Sequence, residues 1–191
     1  MTEKTATPED LTRLLPALAR QAVESYVREE KTVKVGSEDA IFKRNLGVFV
    51  TIKKGSSLRG CIGYTEPPWP LGITLIRAAI ASATEDPRFP SISPRELDDL
   101  VYEVTILTEP REIHINDDKD LGNIRLGRDG LMIDSYGRRG LLLPQVALEE
   151  DFGAVEFLDA TCEKAGLMPG CWKSKGTKVY IFEGIVYKEY L

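Results

Sequence analysis

The most distinctive local sequence of the chain is a six-residue segment in which a cysteine follows an arginine by two positions. Its sequence is Leu58-Arg59-Gly60-Cys61-Ile62-Gly63. If the segment is a β-strand, side chains alternate between its two faces, so Arg59, Cys61 and Gly63 share one face. Residues two apart on a strand are separated by about 6.5 to 7 Å, which lets the guanidinium of Arg59 approach the thiol of Cys61. Because a nearby cation stabilises a thiolate, this spacing predicts an activated nucleophile.

The two glycines of this segment extend the hypothesis to ligand binding. Glycine weakens a strand and is tolerated there where a ligand or another backbone must approach closely. Backbone amides near Gly60 and Gly63 would then receive a ligand beside Cys61. Two structural interpretations stay open: an unpaired cysteine most often behaves as a small buried hydrophobe, and the glycines would equally admit a packed helix.

Two further side chains are candidates for the same chemistry. Arg88 lies in a proline-rich loop, where it could bind a carboxylate or phosphate group of a ligand with two N–H groups. The alternative is that Arg88 pairs with Asp86 or caps carbonyl groups at the end of the preceding helix. The single histidine, His114, is a candidate general base by residue type alone, since nothing in the sequence places it near Cys61.

The three cysteines, at positions 61, 162 and 171, indicate reduced thiols rather than a disulfide framework. Their number is odd, no two have the CxxC spacing, and no secretory signal precedes them. Cys162 lies on the apolar stripe of a predicted helix and is interpreted as a core residue. Cys171 lies beside Trp172 in a Pro-Gly-Cys-Trp loop, and the sequence assigns it no partner.

The sequence predicts neither a metal site nor a bound cofactor. A single histidine excludes a His-rich metal site. Asp117, Asp118 and Asp120 lack the spacing and the terminal glutamate of a calcium loop, which favours a solvated acidic loop. The phosphate-binding P-loop, the glycine pattern of dinucleotide-binding proteins and the CxxxCxxC pattern of iron–sulfur cluster ligands are all absent from the sequence.

Composition and charge limit the class of protein and its partners. The 191 residues are 42% hydrophobic and 29% charged, which is ordinary globular usage and excludes collagen-like and wholly disordered chains. A net charge of −5 disfavours nucleic acid as a partner. No apolar segment approaches the roughly 20 residues of a membrane span, and no secretory signal is visible, so we expect a cytoplasmic protein without membrane contact.

The hydrophobic pattern predicts helices and short strands without regular alternation of the two. Thr7 and Pro8 have the residue types of a helix start, and Pro16 leaves open one kinked helix or two shorter ones. Other predicted elements are a hairpin over residues 47–53 and 58–64, a buried helix over 70–84, a short helix from 93, a strand over 101–107, three meander strands over 124–126, 131–134 and 140–143, a helix over 155–165 and a strand over 178–187. This order is typical of an α+β fold with mostly antiparallel sheets flanked by helices.

The same segments resemble a known family. Residues 58–63 are similar to the signature of the AMMECR domain family. Residues 86–90 with 95–97, and the strand at 103–108, resemble the next two blocks of that family. Residues 140–147 and 161–167 resemble its C-terminal blocks in the version typical of archaea. The resemblance covers roughly residues 11–187, that is, nearly the whole chain.

The family resemblance implies a single AMMECR-type domain over residues 1–191, made of a larger and a smaller α+β subdomain packed together. It also implies a cytoplasmic protein. Some prokaryotic relatives are fused or adjacent to a Memo-type protein and a radical-SAM enzyme, which implies a shared process. The resemblance carries no catalytic residues over to this chain, so the roles given to Cys61, Arg59 and Arg88 depend on the residues themselves.

Two functional hypotheses follow from the sequence. In the first, the surface around residues 58–63 binds or transforms a small molecule, with Cys61 as the nucleophile and Arg59 stabilising its thiolate. In the second, the protein is a non-catalytic adaptor that binds a protein or, less in keeping with its charge, a nucleic acid. The segments around Trp69 and Trp172 would then supply aromatic anchors for a protein partner.

Overall fold

The structure is a computed structural model that describes residues 6–189, and its chain divides into two compact units. Unit 1 comprises Met1–Leu107 and Ile185–Leu191, and unit 2 comprises Thr108–Gly184. Each unit combines helices with antiparallel strands, so the fold is α+β as the sequence predicts. No helix in the described part of the chain is both long and apolar enough to cross a membrane.

Unit 1 begins with helix α1, Pro8–Glu29. The hydroxyl of Thr7 accepts a hydrogen bond from the backbone N–H of Asp10, and the Asp10 carboxylate accepts one from the backbone of Thr7. The helix continues through Pro16 as one element. Of the two arrangements that the sequence leaves open, the structure therefore has the single helix.

The sheet of unit 1 is built on a hairpin. Strand β1, Val48–Lys54, pairs with β2, Ser57–Tyr64, on one side and with β3, Leu100–Leu107, on the other. Val48, Val50 and Ile52 of β1 are fully buried and contribute to the core of this unit. The intervening residues of β1 point to the opposite face of the sheet, where they are half-buried.

Helix α2, Leu71–Thr84, packs on the hairpin and is buried on most of its surface, as its nearly continuous apolar sequence predicts. Pro70 is its N-cap residue, so the helix begins at Leu71, one residue later than the sequence predicts. A short 3₁₀ helix, Pro94–Asp99, follows where the sequence predicts a helix from 93, and Ser93 and Glu96 form a capping box at its start. The segment between these two helices lies beside β2.

Unit 2 contains four antiparallel strands in the order β4-β7-β5-β6 and two helices. The strands are β4, Arg111–Ile113; β5, Asp129–Ser135; β6, Arg138–Leu142; and β7, Thr177–Lys188, whose last residues belong to unit 1. The helices are α3, Pro144–Glu149, and α4, Ala154–Lys164. The apolar face of α4 packs on β5 and β6.

Two predicted elements of unit 2 are corrected by the structure. Residues 124–126 form a turn and not a strand, because the buried carboxylate of Asp129 accepts hydrogen bonds from the backbone and side chain of Arg125. The sequence analysis also gives no helix between the strand at 140–143 and the helix at 155–165, whereas Pro144 begins α3 as its first residue. Both features depend on local capping chemistry that the hydrophobic pattern does not show.

The prediction of three reduced cysteines is also wrong, since Cys162 and Cys171 form a disulfide across nine positions of sequence. Cys162 lies on the buried face of α4, and Gly170, with a φ of 83°, turns the chain back so that Cys171 reaches it. The spacing matches no short motif because a chain reversal, and not sequence proximity, brings the two sulfur atoms together. The core assignment of Cys162 stands, because its side chain is fully buried.

Candidate functional site

The free thiol of the chain lies on the face of β2 that points away from α2. Cys61 is half-buried and is the one cysteine of the described residues that has no disulfide. Its register partner on β1 is Thr51, and the Sγ of Cys61 lies 3.3 Å from the Oγ1 of Thr51. A hydroxyl at this distance can donate to a thiolate or accept from a thiol. Thr51 is a neighbour that strand pairing supplies and that the sequence analysis did not identify.

The backbone of Cys61 is held by Asp86, which lies just after α2. The Cys61 N–H donates to Oδ2 of Asp86 over 2.8 Å. Asp86 is almost completely buried, and its Oδ1 and Oδ2 also accept hydrogen bonds from the backbone and the guanidinium of Arg88. These contacts, first of all the one with the Arg88 side chain, hold the pKa of the Asp86 carboxyl far below its usual range despite its burial. Asp86 is therefore a buried anion that fixes both residues.

Arg88 is the cation that the structure places beside Cys61. Its Nη2 lies 2.7 Å from Oδ2 of Asp86 and 3.4 Å from the carbonyl oxygen of Cys61. The hydrogen bond with Asp86 is the main cause that raises the pKa of Arg88, and a thiolate at Cys61 acts in the same direction. The side chain remains 55% exposed. The pairing of Arg88 with Asp86, one of the two alternatives for this residue, is thus present, and it leaves the guanidinium accessible.

Arg59 makes its hydrogen bonds with two partners that the sequence analysis did not identify. Its Nε and Nη2 donate to the carboxylate of Glu96, and its Nη1 donates to the carbonyl oxygen of Pro90 over 2.8 Å. The Arg59 side chain is only 12% exposed, and its hydrogen bond lowers the pKa of Glu96 to about 2. The pair with Glu96 is bidentate, and the hydrogen bond to Pro90 connects the loop that carries Arg88 to β2. Its predicted role toward the Cys61 thiolate stays a prediction, because the hydrogen bonds of its guanidinium go to Glu96 and Pro90.

The two glycines of the segment admit neighbouring protein atoms. A Cβ atom on Gly60 would lie 2.0 Å from the carbonyl oxygen of Ser82 on α2. A Cβ atom on Gly63 would lie 2.4 Å from the ring of Phe49 and from the carbonyl oxygen of Val48. The packed-helix interpretation therefore accounts for Gly60, and a neighbouring aromatic ring accounts for Gly63. A ligand contact with their amides stays a prediction.

Ser82, a residue of α2, also positions β2, and the sequence analysis did not single it out. Its hydroxyl accepts a hydrogen bond from the N–H of Ile62 and lies 2.8 Å from the carbonyl oxygen of Val50. Ser82 and Asp86, four positions apart, thus bind the consecutive amides of Ile62 and Cys61. The signal in the sequence is a serine within the apolar C-terminal half of α2, four residues before an aspartate.

The remaining candidates lie in unit 2 and are described within it. His114 is exposed and follows β4. Trp172 is buried, and its Nε1 donates to Asp159 over 2.8 Å, so it is a core residue and not the exposed anchor that the sequence suggests. Asp117 and Asp120 accept hydrogen bonds from nearby backbone N–H groups in an exposed loop. Within residues 6–189, no group of three metal-ligating side chains converges.

The chemistry available at this face combines a nucleophile, a hydroxyl and a cation. The sequence-predicted Cys61, Gly60, Gly63 and Arg88 lie on or beside β2, whereas Arg59 points its charge into the contact with Glu96. An accessible thiol with a hydroxyl at 3.3 Å can attack an electrophile, and a guanidinium beside it can bind an anionic group.

Comparison with known proteins finds relatives that match almost the whole chain. The AMMECR1 family profile matches residues 16–187. A protein of Methanothermobacter thermautotrophicus is 46% identical over 179 residues, which cover 93% of this chain and 93% of that protein. Protein Ta0236 of Thermoplasma acidophilum is 48% identical over 174 residues, with 90% of this chain and 84% of that protein covered.

The fold has a counterpart among solved structures. The crystal structure of the uncharacterized protein PH0010 from Pyrococcus horikoshii is similar with a TM-score of 0.70 and 39% sequence identity. The similarity covers 93% of this chain and 95% of that one. These relatives confirm the resemblance that the segment at residues 58–63 indicates. The chain belongs to the AMMECR1 family.

Proposed function

We propose that the surface around Leu58, Cys61 and Gly63 binds or transforms a small molecule, and that Cys61 is its nucleophile or covalent anchor. The observation that carries the proposal is the environment of the free thiol, which has the Thr51 hydroxyl at 3.3 Å and the Arg88 guanidinium at its own carbonyl group. A thiol with polar neighbours can act as a nucleophile, and a guanidinium beside it can bind an anionic group of the substrate. The backbone near Gly60 and Gly63 lies within the same segment.

The rigidity of the segment supports the same proposal. Asp86 and Ser82 accept hydrogen bonds from consecutive amides of β2, and Arg59 connects the loop after α2 to the same strand. A nucleophile is effective when its surroundings fix its position relative to the bound substrate. Here the buried carboxylate of Asp86 binds the amide of Cys61, and the buried hydroxyl of Ser82 binds the amide of Ile62.

The test is the reactivity of Cys61 in the folded protein, read by mass spectrometry. At neutral pH, iodoacetamide should label Cys61 of the folded protein at a rate within about tenfold of its rate with a free thiol such as glutathione. The protein purified from its own cell extract should carry an adduct or a retained small molecule that Cys61→Ser loses. The proposal would be overturned if Cys61 of the folded protein stayed unlabelled for many times the half-life with which iodoacetamide alkylates a free thiol.

A non-catalytic adaptor is the second candidate, and an aromatic cluster in unit 1 supports it. The Arg77 guanidinium lies 4.2 Å from the centroid of the Trp69 ring, and the Tyr64 ring meets Trp69 edge-on at 5.9 Å. Ile73, one helical turn before Arg77, is 45% exposed. Tryptophan, tyrosine and arginine are the residue types that dominate protein interfaces. The Memo-type and radical-SAM proteins implied by the family resemblance are the partners proposed for it.

The adaptor function is tested with Trp69→Ala. This variant should abolish co-purification of a Memo-type or radical-SAM protein while iodoacetamide still labels Cys61 at the wild-type rate. Retention of the partner by Trp69→Ala, or no stable complex with either class of protein, would remove the adaptor candidate. Binding that weakens steeply as salt is added would indicate nucleic acid instead.

A further inference from the structure

The guanidinium of Arg88 is held in one orientation beside Cys61. Its Nε and Nη2 donate to the two carboxylate oxygens of Asp86 over 3.0 and 2.7 Å. The guanidinium carbon also lies 5.5 Å from the centroid of the Phe89 ring. A bidentate pair with a buried carboxylate fixes the plane of a guanidinium, so its remaining N–H groups point in a defined direction.

These contacts leave the Nη1 group of Arg88 available to a ligand. Among residues 6–189, the acceptors of this side chain are Asp86 and, at a long 3.4 Å, the Cys61 carbonyl, and both are reached from Nε or Nη2. The carboxylate of Asp86 is fully used within the protein, because each of its two oxygens already accepts two hydrogen bonds. An incoming oxyanion would therefore meet two unoccupied N–H groups on Nη1.

The charge of this region favours an anion with one negative charge. Asp86 neutralises Arg88, and Arg59, the other guanidinium tied to β2, is neutralised by Glu96. A phosphate monoester carries nearly two negative charges at neutral pH, whereas a carboxylate carries one. Because Arg88 is a single half-exposed guanidinium that Asp86 already neutralises, its Nη1 group suits a carboxylate better than a phosphate.

We propose that the ligand of the Cys61 surface is an electrophile that carries a carboxylate group, and that Nη1 of Arg88 binds this carboxylate. The inference rests on the proposed function, since it names the chemical class of the molecule that Cys61 attacks. Asp86 acts in it as a positioning residue, because it orients the guanidinium and holds the backbone of Cys61 at the same time.

The experiment compares two alkylating reagents that differ only in charge. In both, the Cys61 thiolate forms a C–S bond at the carbon that bears iodine, iodide leaves with the electron pair of the C–I bond, and the thiol proton passes to the buffer. Iodoacetate carries a carboxylate, and iodoacetamide is neutral. The iodoacetate-to-iodoacetamide rate ratio of Cys61 should exceed that of glutathione, measured in the same buffer, by about three- to fivefold, the factor for a partly exposed ion pair.

Variants at two arginines identify the group responsible. Arg88→Gln should reduce the rate ratio to that of glutathione, and Arg88→Lys should retain part of the increase because the charge remains without the planar fork. Arg13→Gln is the matched control, because Arg13 is an exposed arginine of α1 that pairs with Asp10. It should leave the ratio at the wild-type value.

The outcomes separate this inference from the proposed function. If Cys61 reacts with neither reagent, the proposed function fails and the inference fails with it. If Cys61 reacts with iodoacetamide but its rate ratio equals that of glutathione, the carboxylate inference is overturned and the nucleophile remains. Wild-type protein provides a check that needs no variant: acetate should slow the reaction with iodoacetate, and stronger competition by inorganic phosphate would overturn the choice of carboxylate.

Discussion

The region around Cys61 and the region around Cys162 are held together by different kinds of interaction. In unit 1, Glu96 binds Arg59 of β2 through an ion pair, and Asp86, itself paired with Arg88, accepts a hydrogen bond from the Cys61 N–H. In unit 2, a covalent bond joins α4 to the turn that contains Cys171. Acid should therefore loosen the first region, and a reducing agent should loosen the second. The difference also explains why one cysteine remains available for chemistry and the other two do not.

The two regions also differ in what surrounds the sulfur. Cys162 is fully buried among the apolar side chains of unit 2, which include Phe157 and Leu158. Cys61 is half-buried and has polar neighbours in Thr51 and Arg88. A buried sulfur in an apolar setting contributes packing and cross-linking, whereas an accessible sulfur among polar groups can react. The chain thus has its disulfide in unit 2 and its free thiol in unit 1.

The largest expected effect follows from removing the disulfide. Cys171→Ser should lower the free energy of unfolding of unit 2 by about 3 kcal/mol, the loop entropy expected for a bond that closes so short a loop. Cys162→Ser should cost about 1 kcal/mol more, because its hydroxyl would be buried without a partner. Urea unfolding of both variants in a Trp69→Phe background, followed by the fluorescence of Trp172, measures unit 2 alone.

Reduction of the wild-type disulfide provides the control for that measurement. Dithiothreitol should shift the unfolding midpoint of the Trp69→Phe protein to that of Cys171→Ser and should leave Cys171→Ser unaffected. A midpoint that is the same with and without the reducing agent would mean that the two thiols are not joined. The expectation of three reduced cysteines, which the sequence favours, would then return.

The disulfide is also where sequence reasoning falls short, and the reason is physical. The helix of Cys162 and its buried face follow from apolar spacing, and Gly166 marks its end with a positive φ of 71°. The partner of Cys162 depends on a reversal at Gly170, which is a tertiary feature with no periodic signal. Local rules therefore predict the element and its core face but not the bond.

The Cys61 region shows the same division between local and tertiary information. The hairpin, the buried helix α2 and the capping box at Ser93 follow from alternation, apolar continuity and cap residues. Which arginine lies beside the thiol does not follow from them. Strand alternation places Arg59 on the face of Cys61, but Glu96, 37 positions away, binds its guanidinium. Arg88 takes the position beside Cys61 because Asp86 bonds to the Cys61 amide across 25 positions.

A smaller effect is expected when the pH is lowered. The pKa of Glu96 is about 2 in the folded chain against an ordinary 4.5, mainly because the Arg59 side chain donates to it. Since the folded pKa is the lower one, Glu96 contributes its full stability above pH about 4.5 and loses it as the pH falls toward 2. Asp86, whose pKa is also lowered, acts in the same direction at lower pH. After allowance for solvent screening, the contribution of Glu96 is about 1 kcal/mol.

Glu96→Gln is the variant that measures this contribution. It should lower the free energy of unfolding of unit 1 by about 1 kcal/mol at pH 6 and should lessen the further loss between pH 5 and about pH 3. Amide hydrogen exchange of peptides from residues 58–63 and 86–93 reports it locally. Asp98→Asn, on the same 3₁₀ helix but with a side chain that is 92% exposed, is the matched control and should have no measurable effect. Equal acid sensitivity in both variants would contradict the assignment.

The smallest effect on stability, and the most informative one, is expected for Cys61→Ser. The hydroxyl of the serine can keep the contact with Thr51, and the half-buried position lets water satisfy it, so the free energy of unfolding should change by less than about 0.5 kcal/mol. Thiol-specific labelling of the folded protein should disappear completely, and with it any adduct or ligand that depends on the thiol. Thermal unfolding and intact mass, measured beside Cys162→Ser, provide the comparison. If both serines destabilise the protein alike and no ligand response is lost, Cys61 is a packing residue, and the binding module without a nucleophile remains as the function of this surface.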